Sequence, residues 1–169
     1  LQSILFEGLE DSIHFDASII EMKQLERGVQ VICSKAELSG YYDAVVGADG
    51  LYSSVREHSF PHAKLDDLGV TNWRWTVDYP TQGLQPTYML GMKNVFLAYP
   101  IGAHQVYCYA HQVDANNQYN EPSLAHGHIL KLFQHYQGVA KPLLELLPPS
   151  DAIYTGRLRS VPKPIFTRG

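Results

Sequence analysis

Four short apolar runs, 71–79, 86–90, 95–99 and 105–111, follow one another with only polar or glycine-bearing turns between them. Connections that short join antiparallel neighbours, because parallel strands need a crossover of a dozen residues or more. The last run shows the pattern most clearly. Gln105, Tyr107 and Tyr109 alternate with Val106, Cys108 and Ala110, and successive side chains of a strand point to opposite faces. One face is therefore small and apolar, suited to lie beneath helices. The other carries tyrosines and an amide, the mixture expected of a cleft that is apolar yet holds a few polar groups. On the run before, Val95, Leu97 and Tyr99 share a face opposite Phe96 and Ala98, and Tyr88 lies one run earlier. Tyr88, Tyr99 and Tyr107 form the candidate ligand-facing set, with Gln105 and Arg74 as further candidates. The competing reading makes these tyrosines core or edge residues with one satisfied hydroxyl. Trp73 and Trp75 share a face with Val77 and are expected in the core.

The rest of the chain frames this sheet. Ser123 is a helix cap for a segment running to about Gln137, and Pro142 suits the first turn of a second helix ending near Leu147. Leu124, Leu130, Leu132 and Phe133 give the first of these a face to cover the sheet, and 152–159 reads as a last strand. Upstream, Leu1, Ile4, Leu5 and Leu9 have helical spacing with Gly8 as a cap. Residues 13–15 and 18–25 are strand-like, and a turn at Glu26-Arg27-Gly28 leads to a return strand over 29–34. Residues 44–48 read as a short buried strand and 53–58 as a short helix, closed by Pro61. The division expected is a first segment over 1–58, a linker over 59–69 and a second domain over 70–169.

Composition narrows the class of function. Of 169 residues, 45% are hydrophobic and 18% charged, with a formal net charge of −4. That balance gives no reason to expect nucleic acid, and no basic run suggests an anionic membrane. The longest apolar runs fall far short of a spanning helix, and no export signal is visible. Cys33 and Cys108 stand apart in strand-like runs, which suits unpaired thiols in a reducing compartment, the cytoplasm by default. Eight histidines raise a metal reading that spacing does not support, so no metal is expected. His126 and His128 point away from each other on a helix, Pro61 breaks the helix that His58 and His62 need, and no Cys-x-x-Cys occurs. A serine hydrolase is equally unsupported, because there is no G-x-S-x-G elbow.

The most informative string is YDAVVGADGLYSSVR, residues 42–56. A strand running into glycine and then a helix is the sequence form of a β-α turn, where ligands approach backbone that carries no Cβ. Gly47 and Gly50 supply that clearance and any positive φ required. Asp49 aims a carboxylate at hydroxyls or caps the helix, whose N-terminus offers unpaired N–H groups to anionic or polar groups. Arg56 lies one turn beyond Ser53 on the same side. The bland alternative is a helix cap and a surface charge.

Asp43, Ala44-Val45-Val46, Gly47-Ala48-Asp49-Gly50, Ser53 and Arg56 together resemble the Asp-Gly motif of the class A flavoprotein monooxygenases, the family of para-hydroxybenzoate hydroxylase. Asn72-Trp73-Arg74 resembles the family's aromatic-Arg pair at the start of the substrate-domain sheet. Gly91 through Tyr99-Pro100-Ile101-Gly102 resembles a strand pair of that sheet, and 160–169 the segment before a second, Gly-Asp motif. The resemblance implies an α+β fold, with a mixed, largely antiparallel sheet covered by helices and a partial α/β segment of an FAD domain. It implies FAD as cofactor, NAD(P)H as reductant, and transfer of one oxygen from O₂, through a flavin C4a-hydroperoxide, to an aromatic small molecule. By the motif match Gly47, Asp49, Gly50 and Arg56 are cofactor-binding, Asp49 near the ribose–pyrophosphate region, with Arg56 in a structural or a ligand-binding role. The family places its substrate on the sheet that carries Tyr88, Tyr99, Tyr107, Gln105 and Arg74. The family's G-x-G-x-x-G loop and its Gly-Asp motif are not in the sequence. The expectation is thus a central fragment, inactive alone and weak or lacking in FAD affinity, of an oligomeric state left open. Two alternatives stay open: a stand-alone α+β module that binds a small molecule without catalysis, and a flavin oxidoreductase that does not hydroxylate.

Overall fold

A computed structural model describes residues 2–161, in two compact units that meet in sequence between Leu65 and Asp66. The first unit opens with helix α1 (Gln2–Phe6) and builds an antiparallel sheet in the order β1 (Ile19–Gln24), β2 (Val29–Cys33), β3 (Gly40–Tyr42). The β1–β2 turn passes through Gly28 at φ +80°, where a Cβ would run into the Tyr42 carbonyl, so glycine is demanded twice over. Three expectations are corrected here. Residues 13–15 form no strand and follow a 3-10 turn at Glu10–Ser12. Strand β3 was not anticipated, being a glycine and two exposed tyrosines with no apolar period. Residues 44–48 are neither a strand nor buried. No strand among the described residues pairs with them, and Val46 is 86% exposed, so apolar content alone has no ladder to join. Helix α2 (Ser54–Ser59) follows.

The second unit holds a five-stranded sheet. Strands β4 (Asp66–Asp78), β5 (Thr87–Leu90), β6 (Asn94–Pro100), β7 (Gln105–Val113) and β8 (Tyr154–Ser160) lie in the order β5-β6-β7-β4-β8. Every pairing in both sheets is antiparallel, so the expected mixed sheet is replaced by purely antiparallel ones. β5, β6 and β7 are the consecutive hairpins foreseen, whereas β4 lies between β7 and β8. β4 also begins at Asp66, inside the stretch expected as linker, and its pairing with β8 skips register between Asp67 and Thr71 around Gly69 at φ +68°. The left-handed glycine marks a bulge.

Alternation along the central strands builds the core. Trp73, Trp75 and Val77 of β4, Phe96 and Ala98 of β6, and Val106, Cys108 and Ala110 of β7 are all buried on one face. Helices α3 (Ala125–Phe133) and α4 (Ala140–Glu145) join the same cluster through Ala125, Ile129, Phe133, Ala140, Leu143 and Leu144. The α3 contacts recur every four residues, the repeat of a helix face. Leu124 falls outside that phase, in the 3-10 turn Pro122–Leu124, and is 54% exposed. That turn replaces the expected Ser123 cap, since the Glu121 carboxylate accepts from the Ser123 N–H. Aromatic rings meet edge to face across the layer, Trp73 on Phe133 at 6.3 Å and Trp75 on Phe96 at 5.9 Å. Such pairs add to the area that each ring buries.

The sheet margin is held by charge. Arg157 of β8 donates to both Asp67 oxygens, at 2.7 and 3.0 Å, and to Asp114 Oδ2 at 3.1 Å and Thr71 Oγ1 at 3.0 Å. Thr71 in turn donates to Asp114 at 2.7 Å. The fork spans the bulge that Gly69 opens and ties the margins of β4, β7 and β8 together. Phe96 is fully buried and touches Trp75, Phe133 and Tyr136, so Phe96→Ala is expected to cost about 3–5 kcal/mol, read as a lower urea midpoint of the second unit.

Candidate functional site

The face of the five-stranded sheet opposite the helices is the candidate site. Register fixes its layout. Tyr88, Leu97, Tyr109, Arg74 and Tyr154 face one another in a single row across all five strands. Tyr99, Tyr107 and Thr76 form the next row, and Gln105 lies opposite Asp78. All five residues expected to face a ligand therefore share this face. They differ in cover: Tyr88 and Tyr99 are 69% and 46% exposed, Tyr107 is half-buried, and Gln105 sits exposed at a strand end.

Arg74 is the organised cation of this face. Its guanidinium carbon lies 5.4 Å from the centre of the Tyr154 ring and 5.8 Å from that of Tyr109, so the charge stacks between two π faces. Its Nε donates to Asn72 Oδ1 at 3.2 Å, and Asn72 Nδ2 donates to the Gly156 carbonyl at 2.8 Å. Gly156 also makes room for this arrangement, since a Cβ there would stand 2.7 Å from the Tyr154 hydroxyl. Among the described residues no carboxylate pairs with Arg74. Beside it Tyr109 Oη lies 3.1 Å from His111 Nδ1. Burial pushes the Tyr109 phenol up, against the pull of the Arg74 charge, and pushes His111 down. Both shifts favour the neutral forms, so a neutral phenol and a neutral imidazole share this hydrogen bond, its direction set by the His111 tautomer. Tyr109, Tyr154 and His111 were not among the expected site residues. Tyr109 alternates in phase with Tyr107 and was legible, whereas Tyr154 needed the knowledge that β8 lies beside β4.

At the Asp-Gly turn the structure shows the helix-capping arrangement, one of the two readings given for Asp49. Asp49 Oδ2 accepts from Ser54 N at 2.7 Å, Ser54 Oγ at 3.1 Å and Val55 N at 3.2 Å, while Ser53 Oγ accepts from Arg56 N at 2.9 Å. The first-turn donors of α2 are filled from within the turn, so this helix end offers no row of free N–H groups to a phosphate. Partial burial would raise the Asp49 pKa, but the Ser53 and Ser54 hydroxyls and nearby backbone N–H groups outweigh it and lower it to about 2. Gly47 and Gly50 serve separate needs. A Cβ at Gly47 would come within 2.8 Å of Val55 Cβ, whereas Gly50 meets nothing but adopts φ +78°. Arg56 turns back on the same segment, donating through Nη1 to the Leu51 carbonyl at 2.8 Å.

Other constellations carry little chemistry. Among the described residues no group of three His, Cys, Asp or Glu side chains is arranged to hold a metal, and no helix is long and apolar enough to cross a membrane. Cys33 and Cys108 are unpaired, Cys33 only half-buried; burial pushes the Cys108 thiol up to about 12, so it stays protonated beneath the sheet. Asp49→Ala removes three hydrogen bonds at the start of α2, and the expected loss is about 0.5–2 kcal/mol from the first unit. Because the Asp49 pKa is depressed in the fold, that contribution is present above the unfolded value of 3.8 and disappears as pH falls through about 2. Thermal unfolding of wild type and variant from pH 6 down to pH 2 should converge at the acid end.

No family model matches the chain. Among curated proteins, the chloroplastic zeaxanthin epoxidase of Spinacia oleracea is 26% identical over 156 residues, covering 89% of this chain and 22% of that protein. The 2-heptyl-3-hydroxy-4(1H)-quinolone synthase of Pseudomonas aeruginosa strain UCBPP-PA14 is 26% identical along the whole chain, covering 45% of its own length. In three dimensions, Klebsiella pneumoniae HpxO, crystallised with FAD and uric acid, superposes with a TM-score of 0.76 over 94% of this chain and 41% of its own, at 17% identity, a likeness of fold. The chain spans less than half the length of each of these relatives. With the shared fold, the sequence relationship makes this chain a distant homologue of the class A FAD-dependent monooxygenases.

Proposed function

We propose that the chain is the central part of an FAD- and NAD(P)H-dependent monooxygenase that places one atom of O₂ on an aromatic small molecule, with the open sheet face as substrate surface. The single observation that carries the reading is the row Tyr88–Leu97–Tyr109–Arg74–Tyr154, an aromatic and apolar strip with one fixed cation that no carboxylate among the described residues pairs, in a chain distantly homologous to flavin monooxygenases. Tyr88, Tyr99 and Tyr107 supply flat contact area, Gln105 a hydrogen-bonding end, and Arg74 a polar hook. Tyr109 and His111 offer a hydrogen-bonded pair that can accept from or donate to a substrate hydroxyl.

The Asp-Gly turn fits part of the cofactor. Residues 47–50 are exposed, and neither glycine raises a side chain against an approaching ligand. Asp49 presents a fully ionised carboxylate that favours hydroxyl donors. Its own hold on the N–H groups of α2 disfavours a phosphate there. The part of FAD that this turn would hold is therefore a hydroxyl-bearing one, with Gly47 and Gly50 as clearance and Arg56 stiffening the turn behind it. When bound, FAD would supply the redox chemistry and the reaction with O₂. The residues of this chain would bind and orient the substrate and keep water from it. Unpaired thiols suit a cytoplasmic enzyme.

The test is made in the protein with its flanking sequence, which should carry a G-x-G-x-x-G unit before this segment and a Gly-Asp motif after it. Asp49→Asn keeps a side-chain acceptor and removes the charge; it should weaken FAD affinity about tenfold, with a fall in melting temperature no larger than that of Asp49→Ala. Product formed under labelled O₂ should carry one labelled oxygen. Unchanged FAD affinity would remove Asp49 from the cofactor site, and NAD(P)H oxidation without labelled product would make the enzyme an oxidoreductase of another kind.

A further inference from the structure

The helix that follows the Asp-Gly turn is tied down by a histidine whose two ring nitrogens both face acceptors. His58 sits in the last turn of α2. Its Nδ1 lies 2.8 Å from the Ser54 carbonyl oxygen, one turn back in the same helix, and its Nε2 lies 3.1 Å from the Ile20 carbonyl oxygen on β1. A carbonyl oxygen only accepts, and a neutral imidazole has one N–H and one lone pair. The neutral ring can therefore satisfy one of these contacts and must turn a lone pair toward the other oxygen. Only the imidazolium donates to both.

The surroundings favour that cation. Glu57 on α2 and Glu21 on β1 are the acidic groups that act on the ring. Lys23 of β1 is the opposing charge, lining with Met22, Gln24, Val29 and Ser59 a hollow of about 250 Å³ beside His58. Arg56, also on α2, spends its guanidinium on the Leu51 carbonyl. The end of a helix prefers positive charge as well. In keeping with this, the His58 pKa is raised, first by the Ser54 carbonyl and then by that of Ile20, with burial opposing and Glu57 and Glu21 adding.

Ser54 links this contact to the turn. Its N–H and hydroxyl donate to Asp49, and its carbonyl faces His58. A chain of contacts thus runs from Asp49 through Ser54 and His58 to the backbone of β1. We propose that His58 is a pH-operated latch: protonated, it clasps α2 to β1 and holds the Asp-Gly turn in place, and on losing its proton it releases β1 and loosens the turn. The latch stands on the geometry of the first unit alone; its bearing on a cofactor rests on the reading of Asp49 given above. The sign follows from linkage. A raised histidine pKa contributes stability that is fully present below the ordinary value of 6.5 and is lost as pH rises through the folded value.

The test needs no flavin. In the chain labelled with ¹⁵N-histidine, long-range proton–nitrogen correlation spectra from pH 5 to 9 report both ring nitrogens of His58. Both should be protonated at pH 6, with a midpoint above 6.5. Over the same range, amide exchange at Glu57 and Phe60, corrected for intrinsic rates, should lose protection as the ring deprotonates. His58→Gln, which has no titrating group, should show no such pH dependence. A single neutral tautomer at pH 6, a midpoint at or below 6.5, or protection that does not follow the ring titration would overturn the latch. None of these results touches the Asp49 assignment, and a failed flavin titration leaves the latch standing.

Discussion

The packing of Trp73 and Trp75 under the sheet is the constraint on which the second unit depends. Both indoles are buried, against Phe133 and Phe96 respectively. A strand has a side-chain period of two, so a slip of one residue would turn both indoles to solvent and Arg74 into the core. Burying two indoles therefore sets the register of β4, and β4 hydrogen-bonds to both β7 and β8. The position of Arg74 between Tyr109 and Tyr154 follows from that register. The proposed substrate face is in this sense the reverse side of the core.

The margin of the sheet solves a second problem. Residues 66–70 carry the bulge at Gly69, which on its own would leave the start of β4 loosely paired. Arg157 bridges it with a two-pronged contact to Asp67 and further bonds to Asp114 and Thr71, and its hydrogen bonds, with that of the Gly69 N–H and its charge, hold the Asp67 carboxyl below its usual range. Three partner residues for one guanidinium make this a network and not an isolated surface pair, which is the case in which ion pairs contribute to stability. The Asp-Gly turn follows the same logic on a smaller scale, since Asp49, Ser53 and Arg56 satisfy the turn and the start of α2 before any ligand arrives.

How much of this was legible in the sequence depended on the range of the interaction. Alternation in 105–111 revealed both faces of β7, and the same argument assigned the tryptophans correctly, because period-two burial is written locally. What stayed hidden was pairing at a distance. Nothing near Tyr154 says that β8 lies beside β4, so the second aromatic shelf of Arg74 could not be read. Residues 66–69 were included in the expected linker over 59–69, and the Arg157 contacts that hold the start of β4 join residues far apart in sequence. Residues 44–48 have strand composition but find no partner among the described residues. The motif at 47–56 was recognisable as a string, but its hydrogen bonds showed that Asp49 is first a helix cap. The stretch expected to precede a Gly-Asp motif lies, from residue 162 on, outside the described residues.

The most direct test of the central claim, that the sheet carries its core on one face and its ligand on the other, is a chemical-shift titration of the chain with a small planar phenol such as 2-naphthol. Shifts confined to Leu97, Tyr109, Arg74 and Tyr154, with Trp73, Trp75 and Phe96 unmoved, are the predicted result. Shifts centred on the tryptophan face, or none on the row that crosses the five strands, would contradict it.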